Sequence, residues 1–229
     1  AAAFDALDTG LGADAPLTIG ARLLRADRVD RGALSRALAA ALLSVDVFLE
    51  VRPPGEPTVG WSPDVPGVGG LAAGPFDTPA GPIYLGGPGP NRWRVSRGVL
   101  IDVGGHDRYE PAPAAGDSPG EPSFTVIIDL SGDDTYIDGG AHALGVGRFG
   151  LGLLRDLSGD DSYSGGVLAQ GAAWVGAGLL IDDAGDDLYR SARWSQGAAG
   201  IGIGMLIDGG GADTYAAGSH GQGYATTLG

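Results

Sequence analysis

The sequence predicts an all-β fold: a parallel β-helix, or β-solenoid, with rungs of about 26 residues and a small N-terminal cap that is α-helical or irregular. One nine-residue phrase recurs five times at intervals of 26 or 27 residues. A fixed period of roughly 20–50 residues is typical of solenoids, propellers and arrays. Glycine accounts for 44 of the 229 residues, which indicates tight turns and close packing. A coil of this length accommodates a few short strands, whereas a four-stranded propeller blade usually requires about 40 residues or more.

The recurring phrase has four positions that are the same in every copy: a leading Asp, a Gly three residues later, an Asp five residues later and a Tyr seven residues later. The leading residues, here called the first aspartates, are Asp102, Asp129, Asp156, Asp182 and Asp208. The second aspartates are Asp107, Asp134, Asp161, Asp187 and Asp213. The tyrosines of the phrase are Tyr109, Tyr136, Tyr163, Tyr189 and Tyr215. Because the copies belong to one chain, their fixed positions are those that the fold or a ligand uses.

Residues 1–80 are expected to form the N-terminal cap. Asp30 is a suitable helix N-cap, apolar residues follow it at helical spacing, and Pro53-Pro54 ends the pattern, which predicts a helix over about 31–50. Residues 52–80 are rich in Pro and Gly and are expected to be an irregular, extended linker. The end of a solenoid exposes apolar edges, so covering that end is the role we favour for the helix.

Residues 81–229 are expected to form the solenoid repeats. The stretch 82–93, PIYLGGPGPNRW, is interpreted as a degenerate first rung in which Asn91 and Trp93 replace the second aspartate and the tyrosine. Residues 111–123 are expected to form a loop that interrupts the repeat on one face. A second recurring phrase places Gln before Gly, and its side-chain amides are predicted to stack along the solenoid axis. The glutamines concerned are Gln170, Gln196 and Gln222.

The chain ends with GQGYATTLG, part-way into a rung. Either the last coil is incomplete or the sequence continues in the native protein with a C-terminal segment that is missing here. An incomplete last coil would leave an open β edge. Such an edge presents unpaired backbone groups to other chains. Self-association, or binding of a partner subunit at the open solenoid end, is therefore predicted.

The formal net charge is −14, and all 14 basic residues are Arg. Such a surface repels nucleic acid and anionic membranes and attracts cations, so no nucleic-acid partner is expected. The sequence has no uninterrupted apolar run long enough for a membrane span. It has no cysteine, which excludes disulfides and thiolate metal sites.

In a solenoid, the first aspartates would stack in one ladder along the axis and the second aspartates in another. The electrostatic repulsion within each ladder must then be compensated. Equivalent residues of stacked rungs lie about 4.8 Å apart, and two carboxylates about 5 Å apart repel by roughly 3 kcal/mol at an effective dielectric near 20. Backbone N–H groups, protons or cations between the rungs would each relieve this repulsion, and hard oxygen ligands at regular spacing suit Ca²⁺. Asp-x-x-Gly is also a turn signature, which favours turn capping as the role of the first aspartates. Turn capping and cation binding are compatible.

The phrases SGDDTY, AGDDLY and GGGADTY resemble the RTX calcium-binding repeat, in which an Asp binds Ca²⁺ between turns and an apolar residue two positions later packs inward. The resemblance implies that the second aspartates bind Ca²⁺ and that the tyrosines point inward. We add as metal candidates the neighbouring aspartates, which directly precede three second aspartates. They are Asp133, Asp160 and Asp186. The chain differs from RTX repeats in having one motif per 26 or 27 residues instead of one per nine, and it also resembles bacterial repeat proteins that carry DxxGDDxY and QG phrases.

These observations favour a non-catalytic, Ca²⁺-stabilised structural, adhesive or assembly module that is extracellular, on the cell surface or periplasmic. The alternative is a polysaccharide-acting β-helix lyase or hydrolase with a polysaccharide as its partner. Its candidate groups are Arg148, Arg155, Arg190 and Arg193, with Asp160 or Asp186 as partners. A groove lined by Arg and aromatic residues beside the 111–123 loop would favour the enzyme, and a uniform solenoid face would favour the structural module.

Overall fold

The computed structural model describes residues 36, 39–40, 43–46, 60–79, 81–111, 124–138 and 144–225. It is a β-solenoid of about four turns with rungs of about 26 residues, and one short helix near the N-terminus includes residues 36, 39–40 and 43–46. The predicted fold class is confirmed. Most of the predicted helix and the 111–123 loop beyond Pro111 lie outside the described residues. The described residues contain no helix that is long and apolar enough to cross a membrane.

The described residues form sixteen strands. In chain order they are β1 (Val68–Gly69), β2 (Ala72–Thr78), β3 (Gly81–Gly86), β4 (Arg92–Trp93), β5 (Gly98–Asp102), β6 (Arg108–Tyr109), β7 (Phe124–Asp129), β8 (Thr135–Ile137), β9 (Gly147–Arg148), β10 (Leu151–Asp156), β11 (Ser162–Ala169), β12 (Ala173–Trp174), β13 (Gly176–Asp182), β14 (Leu188–Ser195), β15 (Gly202–Asp208) and β16 (Thr214–Ser219). The first sheet has the order β2-β3-β5-β7-β10-β13-β15, and the second has the order β1-β4-β6-β8-β11-β14-β16. Strands β9 and β12 form a small third sheet.

The strands of successive rungs pair in parallel, and equivalent residues of the phrase are direct neighbours. In the first sheet, each first aspartate is in register with the first aspartate of the next rung, from Asp102 to Asp208. In the second sheet, the tyrosines are in register from Tyr109 to Tyr215. Since a shift of one residue would turn every side chain to the opposite face, this register fixes which residues enter the core.

The interior between the two sheets is filled by one layer from each sheet. The first sheet contributes buried aliphatic residues, namely Leu100, Ile127, Leu154 and Leu180. The second sheet contributes the tyrosines, whose adjacent rings stack with centroids 4.6–4.8 Å apart and planes within 9° of parallel. Trp93 extends this column at the N-terminal end by stacking on Tyr109. The inward orientation implied by the RTX resemblance is therefore observed.

The outer face of the first sheet carries a second apolar cluster. Ile128, Leu153 and Leu179 lie in it together with Val45 of the helix. Arg155, on the same face, donates to the Asp46 carboxylate at 2.5 Å. We expected the helix to cover the end of the solenoid, but its described residues lie against the outer face of the first sheet. This face is apolar, so packing of the helix on it removes apolar side chains from water.

The N-terminal end of the solenoid is closed by two antiparallel strands. Strand β2 pairs with β3, and β1 pairs with β4. Both β1 and β2 lie within residues 52–80, which we expected to be irregular; pairing with the exposed edges of the first rung makes them regular. The division into a cap at 1–80 and a solenoid at 81–229 stays a prediction.

The degenerate first rung is confirmed by the register. Trp93 pairs with Tyr109, and Gly86 pairs with Asp102. The backbone N–H of Asn91 donates to Asp107, as the N–H of Asp107 donates to Asp134. Asn91 therefore occupies the position of a second aspartate.

The fixed glycine of the phrase is required by close contact between rungs. A Cβ on Gly159 would lie 1.5 Å from the carbonyl oxygen of Gly132, and the backbone φ of Gly159 is +152°. The same overlap recurs at Gly132, Gly185 and Gly211 against the fixed glycine of the preceding rung. No side chain fits in this column, which explains why the position never varies.

We predict that Gly159→Ala lowers the free energy of unfolding by about 3 kcal/mol or more, because the new methyl group overlaps the backbone and the rungs must separate. The matched control is Gly166→Ala, since a Cβ on Gly166 meets nothing within 4 Å. The control should change stability by less than about 1 kcal/mol. Urea denaturation followed by circular dichroism measures both, and equal effects would contradict the proposed glycine contact.

Candidate metal centre formed by stacked aspartate triads

The first aspartates cap the turns that follow the strands of the first sheet. The Oδ1 atom of each accepts a hydrogen bond from the backbone N–H two residues later, at donor–acceptor distances of 3.0–3.2 Å. The four in the inner rungs are at most 1% exposed. The predicted turn-capping role is confirmed, and it leaves the second carboxylate oxygen, Oδ2, directed into the interior.

Each interior Oδ2 accepts a hydrogen bond from the aromatic residue of the preceding rung. Tyr109 donates to Asp129, Tyr136 to Asp156 and Tyr163 to Asp182, at 2.5–2.7 Å. Trp93 donates its indole N–H to Asp102 at 2.8 Å. The sequence indicated only that the tyrosines point inward. The signal for this bond was the strict use of Tyr and never Phe in all five copies.

The second aspartates are also buried, but they are incompletely bonded. Their Oδ1 atoms accept the backbone N–H of the equivalent residue in the preceding rung at 2.6–2.9 Å. At Asp107, Asp134, Asp161 and Asp187 the Oδ2 atoms are buried and no N–H or hydroxyl donor of the described residues reaches them. The carboxyl of the first aspartate in the same rung lies within hydrogen-bonding reach, but it donates only when it is protonated. Each of these four residues is 2% exposed. Buried polar atoms are rarely left without a partner, so these four oxygens require an explanation.

The two ladders come together in four triads of carboxylates, each with one oxygen per residue and all three oxygens within 4.8 Å of one another. The triads are Asp102/Asp107/Asp129, Asp129/Asp134/Asp156, Asp161/Asp182/Asp187 and Asp187/Asp208/Asp213. All five second aspartates that we predicted as metal ligands belong to them. The first aspartates, which the sequence indicated only as turn caps, belong to them as well.

The neighbouring aspartates occupy a different environment. Asp133, Asp160 and Asp186 are exposed. Their Oδ1 atoms accept backbone N–H bonds from the equivalent residue of the next rung, at 2.8–3.1 Å. None of them is in a triad of the described residues. Metal binding by these three residues stays a prediction.

Burial makes full ionisation of the triads unfavourable. Burial, followed by the charge of Asp107, raises the pKa of Asp102 to about 8. Burial, followed by the charge of Asp156, raises the pKa of Asp161 to about 10. Burial raises the pKa of Asp187 to about 7. A proton shared between the two carboxylates of a rung, or a cation beside them, would each relieve this cost.

The degenerate first rung shows that the two carboxylates occur as a pair. Gly86 stands where a first aspartate would be, and Asn91 stands at the second position. A Cβ on Gly86 would lie 2.0 Å from Oδ2 of Asp102 and 2.7 Å from the ring of Trp93, so the indole occupies this space. Where one acidic group is lost, the other is replaced by a neutral amide. This is expected if the two groups share one proton or one ion.

The glutamines do not stack on one another as predicted. The Gln170 amide donates to the backbone oxygens of Tyr163 and Arg190, each at 2.9 Å. The Gln196 amide makes the equivalent bonds to Tyr189 and Ala216. Each side chain therefore bridges two adjacent strands of the second sheet.

One arginine of the alternative enzyme hypothesis, Arg155, forms ion pairs with residues other than those proposed for it. Arg155 contacts the carboxylates of Asp46 and Asp183 on the outer face of the first sheet, at 2.5 and 3.0 Å. Its charge is therefore compensated by residues other than the proposed partners Asp160 and Asp186. Near the 111–123 loop, Arg92, Arg94 and Arg108 all bond to Glu110.

Comparisons with known proteins add no family to this description. No protein-family model, curated protein sequence or solved structure matches the chain. The geometry itself defines the class: a β-solenoid with repeated buried aspartate ladders. The likeness to RTX repeats rests on the recurring phrase alone.

We predict that Tyr136→Phe lowers the free energy of unfolding by about 1–3 kcal/mol, because it leaves the buried Oδ2 of Asp156 without its donor. The matched control is Tyr189→Phe. Tyr189 stacks in the same column, but its hydroxyl has no hydrogen-bond partner among the described residues. The control should be nearly neutral in chemical denaturation at low protein concentration. If both variants lose the same stability, then the ring contacts and not the hydroxyl–carboxylate bond explain the fixed tyrosine.

Proposed function

We propose that the protein is a non-catalytic structural module whose aspartate triads bind divalent cations, with Ca²⁺ the preferred ion. The observation that carries this proposal is the set of four buried Oδ2 atoms without a hydrogen-bond donor, each on an aspartate that belongs to a triad of carboxylates. A cation in each triad would provide these oxygens with the partner that they lack. It would also relieve the repulsion between carboxylates that burial intensifies.

The donor set suits calcium. The triads offer hard, anionic oxygens, and the oxygens of one triad lie within 4.8 Å of one another. Ca²⁺ binds oxygens at about 2.3–2.6 Å, so opposite ligands lie roughly 4.6–5.2 Å apart, whereas Mg²⁺ requires a tighter shell at about 2.0–2.1 Å. Asp129 and Asp187 each belong to two triads, so they would bridge ions in adjacent rungs.

A proton is the competitor of the cation at every triad. One proton shared by the first and second aspartates of a rung would also satisfy the unpartnered oxygen. Metal ligands must be deprotonated, so cation binding releases protons and strengthens as pH rises. The dependence of stability on pH and on Ca²⁺ therefore distinguishes the two occupants.

A structural role outside the cytoplasm is consistent with these sites. Extracellular modules bind Ca²⁺ with dissociation constants of about 10⁻⁴–10⁻³ M. We therefore propose an extracellular, cell-surface or periplasmic location. The uniformity of the inner rungs supports a role in architecture, since the same bonds recur in each and no described rung is distinguished by a separate set of reactive groups.

We predict that chelator-treated protein loses stability as pH rises from about 4 to about 8. The triad carboxyls have raised pKa values in the folded state, about 8 for both Asp102 and Asp156 against the ordinary 3.8. Their contribution is complete below the unfolded pKa and is lost as pH approaches the folded pKa. Each such group lowers the free energy of unfolding by about 1.4 kcal/mol per pH unit in this window.

Urea denaturation at pH 5, 6, 7 and 8 measures this slope with chelator, with CaCl₂ and with MgCl₂. Ca²⁺ should restore most of the stability lost between pH 6 and 8, and Mg²⁺ should restore less. A stability that rises with pH in chelator, as in proteins whose carboxylates form salt bridges, would contradict the raised pKa values. No effect of Ca²⁺ at pH 8 would overturn the cation proposal and leave the proton as the occupant.

We predict that Asp187→Asn removes at least half of the rise in melting temperature produced by 5 mM Ca²⁺, because Asp187 belongs to two of the four triads. The amide oxygen of the variant can still accept the backbone N–H of Asp161, so the fold is retained. The matched control is Asp186→Asn, which removes the same charge one residue away at an exposed position. It should keep the full calcium response. If Asp186→Asn loses the response instead, then the neighbouring aspartates and not the triads bind the ion.

A further inference from the structure

The second sheet differs in charge from the rest of this acidic chain. None of its seven strands contains Asp or Glu, although the chain has 28 acidic residues. The same strands contain four arginines, namely Arg92, Arg108, Arg190 and Arg193. Because the tyrosines and Trp93 of these strands point inward, the residues next to them point outward. Positive charge is therefore concentrated on the outer face of one sheet, in a chain whose net charge is −14.

Three arginines converge on one carboxylate at the N-terminal end of this face. Arg108 donates through Nε to Oε2 of Glu110 at 2.8 Å, and Arg94 donates through Nε to Oε1 at 3.2 Å. Arg92 donates through Nε to the same Oε1 atom. Three positive charges against one negative charge leave a local excess of two positive charges. These four residues are here called the arginine cluster.

The guanidinium groups of the arginine cluster are open to solvent. The side chains of Arg92, Arg94 and Arg108 are 52%, 55% and 46% exposed, whereas that of Glu110 is 18% exposed. The bonds to Glu110 restrict three long side chains that would otherwise be flexible. Each guanidinium has five N–H donors and binds Glu110 through Nε, so further donors are held near the surface. Such pre-organisation lowers the entropy cost of binding a second anion.

A row of outward-facing positions, here called the track, leads from the arginine cluster along the solenoid axis. Each track residue directly follows the tyrosine of its rung, or Trp93 in the first rung, and the register places these residues side by side. Adjacent strands are about 4.8 Å apart, so the two ends of the track, four steps apart, are separated by about 19 Å. In order, the track consists of Arg94, Glu110, Ile137, Ser164 and Arg190.

The surroundings of the track are hydroxylic on one side, with acidic residues farther away. Thr135 and Ser162 are in register in the neighbouring outward-facing row. The exposed Asp133, Asp160 and Asp186 lie beyond that row, in the turns that precede the strands. An anionic ligand on the track is therefore separated from these carboxylates by the hydroxyl-bearing row.

We propose that the track binds an acidic polysaccharide, whose sugar carboxylates pair with the arginine cluster at one end and with Arg190 at the other. Guanidinium groups bind carboxylates with planar, charge-assisted hydrogen bonds, and the arginine cluster already binds one carboxylate in Glu110. The hydroxyls of Thr135, Ser162 and Ser164 both donate and accept hydrogen bonds, as the hydroxyls of a sugar do.

A polymer suits this surface better than a small anion. Exposed ion pairs each contribute little, because water competes for the charges and the side chains must be ordered. Carboxylates that recur along one chain bind as a linked set, so several weak contacts act together. One extended sugar chain reaches both ends of a track of about 19 Å, whereas one small anion does not.

This site goes beyond the proposed function, since the cation triads lie in the interior and the track lies on the outer face. Anisotropy of a fluorescently labelled oligogalacturonate, titrated with the whole chain, tests it. The buffer contains chelator, because Ca²⁺ itself crosslinks carboxylated sugars. It also contains 100 mM NaCl, at which a screening length of about 10 Å weakens the repulsion from acidic residues on other faces. We expect saturable binding that is lost in 1 M NaCl, and at least tenfold weaker binding of the methyl-esterified oligomer.

Arg94→Gln and Arg190→Gln, at the two ends of the track, should each raise the dissociation constant at least threefold. The matched control is Arg36→Gln, which removes the same charge at an exposed position of the helix. It should change the constant less than twofold. Ser164→Glu places a carboxylate in the middle of the track and should raise the constant more than tenfold. It tests the track without disturbing the arginine cluster, and melting temperatures verify that each variant is folded.

Poly-L-glutamate provides carboxylates without sugar hydroxyls and should bind at least threefold more weakly than the sugar chain. Equal binding of poly-L-glutamate would overturn the polysaccharide as the ligand class. No binding at 0.5 mM protein, equal binding of the esterified oligomer, or the same loss in Arg36→Gln as in Arg94→Gln would overturn the site itself. All of these measurements are made in chelator, so their failure leaves the calcium response of the triads, and with it the proposed function, unaffected.

Discussion

The bond from an aromatic side chain to the carboxylate of the following rung is the interaction on which the other features depend. It links the stacked rings of the second sheet to the turn caps of the first sheet, across the interior. This bond requires a buried carboxylate in each rung. The same carboxylate accepts a backbone N–H two residues later, so the chain must turn directly after each first aspartate. The register of both sheets, the position of the turns and the acidity of the core are thus determined together.

That arrangement explains why so much negative charge lies inside a small protein. The first aspartates are satisfied by a backbone N–H and a hydroxyl, but the second aspartates keep one oxygen free. The second aspartates also join the rungs, because the Oδ1 atom of each accepts a backbone N–H of the preceding rung. Both carboxylates are absent together in the degenerate rung, where Gly86 and Asn91 take their positions.

Much of the fold could be predicted from the sequence, because a repeat of fixed length restricts the possible architectures. The rung length, the degenerate rung at Asn91 and Trp93, and the turn caps all follow from the spacing of a few residues. The position of the helix against the first sheet could not be predicted, since Val45 and Asp46 meet residues about a hundred positions away. The triads were predicted in part. Spacing along the chain identified the second aspartates, but only the distance across the core brings the first aspartates to them.

The directional bonding of the rungs has a consequence for how such a chain can change its length. In an inner rung, the tyrosine hydroxyl donates a hydrogen bond to the first aspartate of the next rung. The second aspartate accepts a hydrogen bond from a backbone N–H of the preceding rung. Every inner rung therefore has the same two interfaces, whichever rung it follows. Duplication of one 26- or 27-residue segment would extend the column by about 4.8 Å while reproducing all of these contacts. Gene duplication of whole rungs can thus lengthen this protein without redesigning its core, whereas the insertion of a partial rung would break the ladder at that point.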